Sequence, residues 1–372
     1  MSDGLRILLV EPFFGGSHKK WAEGYKQNSC HQVEILSLPD RHWKWRMHGA
    51  AVTLSEKFKG YDFEPDVVLA TDMLDVATFA ANSRSKLSSI PIVTYFHENQ
   101  ITYPWSANDM DKKLQRDNHY GFINYTSALV SSMVLFNSVY HRNSFLESLP
   151  EFLKQFPDHQ NLNTVKSIEE KCSVIHLGLD LKCLDELKPQ SLEFRKRAVI
   201  LWNHRWEYDK NPEAFFNSLY EIQNRGWDFN LVVLGERFNK YPSVFDEAKE
   251  RLKEKIIHWG FADNESEYVR WLWESDILPV TSNQDFFGGS IVEAMYCNVK
   301  PLLPKRLAYP EHIPEQLHPT FFYKEGELTN RLQNWIKDVA VIRKQQTRTF
   351  VERYDWSGIS AKMDYCLAEL IG

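Results

Sequence analysis

Short apolar runs alternate with segments of helical periodicity along the whole chain. In the first half the runs are Leu5–Val10, Val33–Leu38, Asp66–Ala70, Ile92–Phe96 and Met133–Asn137, and they read as core strands. Leu74–Ser83 and Tyr140–Phe156 carry the helical pattern. Strand and helix in alternation predict right-handed βαβ units on a parallel sheet.

The pattern then restarts. Lys182–Arg197 is rich in charge, contains Pro189 and reads as a connector. Beyond it come strand candidates at Ala198–Trp202, Asn230–Leu234, Ile256–Trp259, Asp276–Val280 and Lys300–Leu303, separated by helical stretches such as Pro212–Arg225 and Val244–Lys255. Two consecutive βα series predict an α/β protein of two doubly wound domains, over residues 1–182 and 183–372, with the last helices able to pack back on the first domain. In such sheets ligands bind beyond the carboxyl ends of the strands, so the loops there are the place to look for chemistry.

Composition narrows the class. The 372 residues are 43% hydrophobic and 14% aromatic, enough apolar material for two cores. A net charge of −6 argues against a general nucleic-acid coat but leaves room for a local basic patch. The five cysteines, an odd number without a Cys-x-x-Cys spacing, point away from a disulfide framework or structural zinc and towards a reducing cytosol. No apolar run reaches the length of a membrane span, so a soluble, cytoplasmic protein is expected.

Four motifs follow strand candidates. Glu11-Pro12-Phe13-Phe14-Gly15-Gly16-Ser17-His18 follows the first. Gly15 and Gly16 either make a tight turn or let the backbone approach a phosphate at a helix start. Asn203-His204-Arg205-Trp206-Glu207-Tyr208-Asp209-Lys210-Asn211-Pro212 places two cations just before a helix that Asn211 caps and Pro212 starts. A diphosphate suits Arg205 and Lys210, and two solvated cations are the plainer alternative. In Asp285-Phe286-Phe287-Gly288-Gly289-Ser290-Ile291-Val292-Glu293, two acids flank a glycine-rich turn. The turn's N–H groups suit a phosphate or sugar hydroxyl, and Glu293, two turns inside the helix, suits ribose hydroxyls. The fourth motif, Tyr95-Phe96-His97-Glu98-Asn99-Gln100, gathers polar side chains around a histidine.

Together these motifs resemble the retaining glycosyltransferases of family 4, which have the GT-B fold. That resemblance implies two Rossmann-like domains with parallel sheets facing across a cleft, the first on the acceptor side and the second binding the donor. It implies a donor site of Asp285 at the sugar, Gly288, Gly289, Ser290, Arg205 and Lys210 at the diphosphate, and Glu293 at the ribose, with Gly15 and Gly16 on the same ligand. Asp285 stands where the family usually has Glu. His97 resembles the family's histidine beside the donor sugar, so His97, Asp285, Arg205 and Lys210 form the expected catalytic set. Phe14–Lys19, Trp43–Arg46, Phe96–Gln100 and His204–Glu207 look like the tRNA-queuosine α-mannosyltransferase group. That group transfers mannose from GDP-mannose to queuosine in the aspartate tRNA anticodon.

The resemblance implies front-face transfer, with the leaving diphosphate taking the acceptor's proton. No cofactor beyond the sugar nucleotide, no metal and no membrane partner is expected. The acceptor side is expected to include His18, Lys44, Trp45, Arg46, Glu98 and Asn99. Residues Arg41–His48 interleave cations with tryptophans, which suits RNA as well as it suits rings packed inward with cations outside. The motifs also fit a glycosyltransferase acting on a glycan, lipid or small molecule, a sugar-nucleotide epimerase, or a non-catalytic sugar-nucleotide or RNA-binding protein.

Overall fold

The computed structural model describes residues 4–105, 109–114, 118–193, 195–236 and 240–372. The chain divides into two compact units, Met1–Leu179 with Trp356–Gly372, and Asp180–Asp355.

The first unit holds a six-stranded sheet of β1 (Arg6–Phe14), β2 (Gln32–Pro39), β3 (Val67–Thr71), β4 (Ile92–Phe96), β5 (Met133–Phe136) and β6 (Cys172–Val174), in the order β2-β1-β3-β4-β5-β6. All its pairings are parallel. Strand periodicity explains the continuous apolar runs. Ile7 and Leu9 point to one face, where Trp21, Tyr25, Trp356 and Met363 pack on them. Leu8 and Val10 point to the other, against Ala50, Leu54 and Phe58. Both faces are covered by helices, so neither position in the alternation can be polar.

β1 runs past the expected end at Val10, and its register with β2 shifts between Glu11 and Phe14. Such an irregularity bends a strand and re-aims its side chains. Here it buries Glu11 completely at the strand's carboxyl end. The helix Trp356–Ile371 belongs to this unit. Its Asp364 accepts hydrogen bonds from Tyr25 Oη at 2.7 Å and Cys30 N at 2.8 Å. The approach is so close that a Cβ at Gly24 would lie 2.2 Å from Trp356 Nε1.

The second unit holds β7 (Val199–Trp202), β8 (Asn230–Val233), β9 (Ile256–Trp259), β10 (Ile277–Pro279), β11 (Lys300–Pro304) and β12 (Phe322–Tyr323), in the order β12-β11-β10-β7-β8-β9. This sheet too is parallel throughout. β6 and β12 were not expected from the sequence. Each is a short edge strand, with too few residues to show a period.

The helices form largely where the periodicity placed them. Asp75 caps Val76–Asn82 by accepting from Thr78 N at 2.9 Å, and Ser138 caps Val139–Leu153 by accepting from His141 N at 2.9 Å. Among the described residues no helix is long and apolar enough to cross a membrane.

Candidate functional site

In the second unit the chain leaves β7 through Asn203, His204 and Arg205 and makes a tight 3-10 turn at Tyr208–Lys210. Asn211 takes a left-handed conformation, caps the next helix by accepting from Ala214 N at 3.4 Å, and Pro212 starts that helix, as the sequence leads one to expect. The loop after β10 carries Asp285. Gly288 then adopts φ +86°, where a side chain is strained, and begins the helix Gly289–Tyr296 without any side-chain cap. An uncapped helix start presents N–H groups and positive potential to an anion.

These two loops meet. Lys210 Nζ lies 2.9 Å from Asp285 Oδ1, 3.0 Å from Asp209 Oδ2 and 2.8 Å from the Gln284 carbonyl oxygen. Tyr309 donates to the other Asp285 oxygen at 2.5 Å. Burial alone would raise the Asp285 carboxyl, but Lys210 beside it holds the group below its ordinary value. Both Asp285 oxygens are therefore fixed, and the shorter acid is held in place by its neighbours. Asn203 Nδ2 donates to the Ser290 carbonyl at 2.7 Å, and the Ser290 hydroxyl lies 3.3 Å from His204 Nδ1. Arg205 is half-exposed and pairs with Glu207 at 3.2 Å.

Glu293 lies one turn inside its helix rather than the expected two, because the helix begins at Gly289 and not earlier in the loop. Tyr268 donates to Glu293 Oε2 at 2.6 Å. Arg205, Lys210, Asp285, Gly288, Gly289, Ser290 and Glu293 thus all lie in the loops and first turns beyond the carboxyl ends of β7 and β10. Gly15 and Gly16 belong to the first unit. There Gly16 takes φ +51°, and the Asp40 carboxylate fills the place of a Gly15 side chain, 1.9 Å from where its Cβ would be.

The first unit has its own polar cluster at the ends of β1, β3 and β4. Glu11 Oε2 pairs with His18 Nδ1 at 3.1 Å, and Glu11 Oε1 accepts from Phe13 N at 2.8 Å. The His18 and His97 ring centroids are 4.4 Å apart. Burial works against charge on His18, yet the Glu11 carboxylate outweighs it and the imidazole is raised to about 9. His97 is pushed the other way, by burial and then by His18, and stays neutral. Its backbone N–H donates to Asp72 Oδ1 at 2.7 Å, and its Nε2 is buried without a hydrogen-bond partner. Burial also drives the Asp72 carboxyl upward.

Of the other expected acceptor residues, Glu98 Oε1 accepts from Gln100 Nε2 at 2.8 Å. Asn99 is buried and braces its own loop, accepting from Ile101 N at 3.1 Å and Thr102 N at 2.9 Å. Arg41–His48 runs into the helix Trp43–Lys59, with Trp43 packed on Tyr120 and Met47 buried. Lys44 is committed within the unit, 2.6 Å from Asp109 and 2.5 Å from Asp111. Arg46 Nε donates to the Pro39 carbonyl at 3.1 Å, and Trp45 is 64% exposed.

Among the described residues, two sets of side chains bring metal-capable atoms within 4.8 Å of one another: Glu11, His18 and His97, and Cys30, His31 and Asp364. Sequence reasoning passed over Glu11, Asp72, Tyr268 and Tyr309. Glu11 lies inside the motif that follows the first strand and is legible as an acid at a strand end. The tyrosines carry no local signal, being remote in sequence from the acids they hold.

Comparison with known proteins agrees with this layout. Residues 6–179 match the tRNA-queuosine alpha-mannosyltransferase N-terminal family, and residues 185–339 match glycosyl transferases group 1. A tRNA-queuosine alpha-mannosyltransferase of Drosophila melanogaster is 33% identical over 364 residues, covering 96% of this chain and 93% of that one. The fold resembles that of Anabaena Alr3699/HepE, solved in complex with UDP, with a TM-score of 0.67 at 16% identity over 98% of this chain and 100% of that one. It likewise resembles sucrose-phosphate synthase from Thermosynechococcus elongatus, with a TM-score of 0.68 at 14% identity over 98% of this chain and 99% of that one. The two parallel sheets with their helices are those of the GT-B fold.

Proposed function

We propose that this chain, which belongs to the tRNA-queuosine alpha-mannosyltransferase family of glycosyltransferases, moves mannose from GDP-mannose to queuosine in the anticodon of aspartate tRNA, with retention at the anomeric carbon. The second unit takes the donor and the first takes the acceptor. The observation that carries the reading is the meeting of Lys210, Asp285 and the uncapped start of the Gly289–Tyr296 helix beyond β7 and β10.

An acceptor hydroxyl of queuosine bonds to the anomeric carbon on the face from which the diphosphate leaves. The bond from that carbon to the phosphate oxygen breaks, and the acceptor's proton passes to the departing phosphate. Positive charge and N–H groups already in place stabilise what develops there. Arg205, half-exposed, and the helix start do this for the diphosphate. Lys210 keeps Asp285 ionised and placed for the sugar, and Glu293, held by Tyr268, accepts from the ribose. His97 keeps the sugar-side role its motif implies, while His18, Glu98 and the loop braced by Asn99 serve the acceptor. Fixed cations and N–H groups take the part a divalent ion plays elsewhere, so no resident metal is required. Five cysteines, an odd number without a Cys-x-x-Cys spacing, support a reducing, cytoplasmic setting.

The test is incubation of the protein with labelled GDP-mannose and aspartate tRNA carrying queuosine or unmodified guanosine in the anticodon. Label is expected only in the queuosine tRNA. Label in a glycan, lipid or small molecule instead overturns the acceptor. A preference for UDP-glucose over GDP-mannose overturns the donor.

A further inference from the structure

One imidazole of the second unit has no part in the reaction just described. His204 is 4% exposed. Its carbonyl accepts from Trp202 Nε1 at 2.9 Å, and its ring meets Trp202 edge-on at 5.2 Å. Gly235, after β8, sits so close that an added Cβ would lie 2.0 Å from the His204 carbonyl oxygen. The backbone at this position is thus clamped from both sides, which fixes where the ring goes. Its Nδ1 lies 3.3 Å from the Ser290 hydroxyl, in the first turn of the uncapped Gly289–Tyr296 helix. Its Nε2 is buried with no hydrogen-bond partner among the described residues. The neighbouring Asn203 donates Nδ2 to the Ser290 carbonyl, and its Oδ1 is buried without a partner as well. Buried nitrogens are rarely left unpaired unless something else supplies the partner.

We propose that His204 is a ligand of the donor's diphosphate, closing on a phosphate oxygen together with the Ser290 hydroxyl and the start of the Gly289–Tyr296 helix, and that the imidazole takes up a proton as the donor binds. The inference rests on the second unit being the donor unit. The charged groups facing the ring are Asp285 on the loop before that helix, and Lys210 and Asp209 on the turn after β7. Lys210 is already shared between those two carboxylates, so it places no uncompensated positive charge beside the ring. Burial keeps the imidazole neutral, depressed to about 4. A diphosphate brings negative charge into the same low-dielectric surroundings and favours the charged ring. The group then binds a proton in the donor complex that it lacks in the free protein. Donor affinity therefore strengthens as pH falls from 8 towards 5.

The test is calorimetry of GDP-mannose binding in buffers of different ionisation heat. Both phosphates of this probe are diesters and stay ionised throughout the range. At pH 5.5 wild type is expected to take up ~0.5–1 proton per GDP-mannose, and at pH 8 about none. His204→Gln is expected to bind about 10-fold more weakly at pH 5.5, with the uptake lost. His204→Asn keeps a polar group at the Ser290 hydroxyl and gives the same result should the Gln variant not fold. GDP-mannose binding without proton uptake, or with uptake that persists in the variants, overturns this inference and leaves the donor reading standing. No binding of GDP-mannose at either pH overturns both.

Discussion

The two polar clusters sit at equivalent places, beyond the carboxyl ends of the strands of each sheet, yet they are built on different chemistry. In the first unit the charge is carried by histidine. His18 is held protonated by Glu11, and His97, its neighbour 4.4 Å away, is forced neutral. In the second unit the charge is carried by Lys210 and Arg205 against carboxylates. There a buried lysine locks Asp285 and Asp209, while a half-exposed arginine sits at the edge. The first cluster loses its charge as pH rises through about 9, where His18 gives up its proton, whereas in the second Lys210 holds Asp285 ionised. The same strand-end position therefore holds a buried histidine pair in one unit and a lysine bridging two carboxylates in the other.

Substitutions in each cluster test the difference between them. The largest effect is expected at Lys210. Removing it leaves Asp285 and Asp209 buried without their cation, so Lys210→Ala is expected to cost ~3–5 kcal/mol of stability as well as most turnover. Denaturant unfolding beside a rate assay measures both, and an unchanged unfolding midpoint would show the triad is not structural. Arg205→Ala comes next. Its side chain is 50% exposed, so the fold is expected to keep its melting temperature while the transition state loses ~2–4 kcal/mol, read as kcat/KM. A near-normal rate would remove Arg205 from the leaving group.

Glu11→Gln probes the first cluster. The folded pKa of His18 is raised from 6.5 to about 9, so its stabilising contribution is whole below pH 6.5 and is lost as pH rises through about 9. Wild type is expected to lose ~1–3 kcal/mol across that window, and Glu11→Gln to show a flatter curve. Identical pH profiles for the two proteins would mean the pair does not set the titration.

A smaller change is expected from Lys44→Ala with Arg46→Ala. Lys44 is already neutralised by Asp109 and Asp111, so only Arg46 has charge to give a phosphate. The salt slope of tRNA binding is expected to fall by about one, and GDP binding to stay the same. A drop of two or more would show that RNA displaces the aspartates. The smallest effect is expected from EDTA, with turnover retained. Loss of activity restored by zinc would instead turn attention to Glu11, His18 and His97, whose ligand atoms already lie within 4.8 Å of one another.

Much of this molecule is legible in its amino-acid order. Apolar runs between helical stretches specify ten of the twelve strands, because a strand covered on both faces admits no polar residue, as Ile7 to Val10 show. The start of the Pro212–Asn224 helix is equally local, since Asn211 and Pro212 carry cap and first residue themselves. The acids Asp285 and Glu293 and the glycines Gly288 and Gly289 stand in one contiguous motif.

Other features come from residues far apart in sequence. Tyr309 reaches Asp285, Tyr268 reaches Glu293, and Asp109 with Asp111 cancels Lys44. Trp356 reaches back to Gly24 and Gly178, joining the last helix to the first unit. The sign of each charge was likewise unreadable beforehand. His18, His97 and His204 are one residue type, and burial meets different neighbouring charges at each. One is raised to about 9, one stays neutral beside it, and one is depressed to about 4. Sequence determines which side chains arrive at the strand ends, because period and capping act within a few residues. Their ionisation and partners are decided by tertiary structure, because desolvation and Coulomb interaction depend on distance in space.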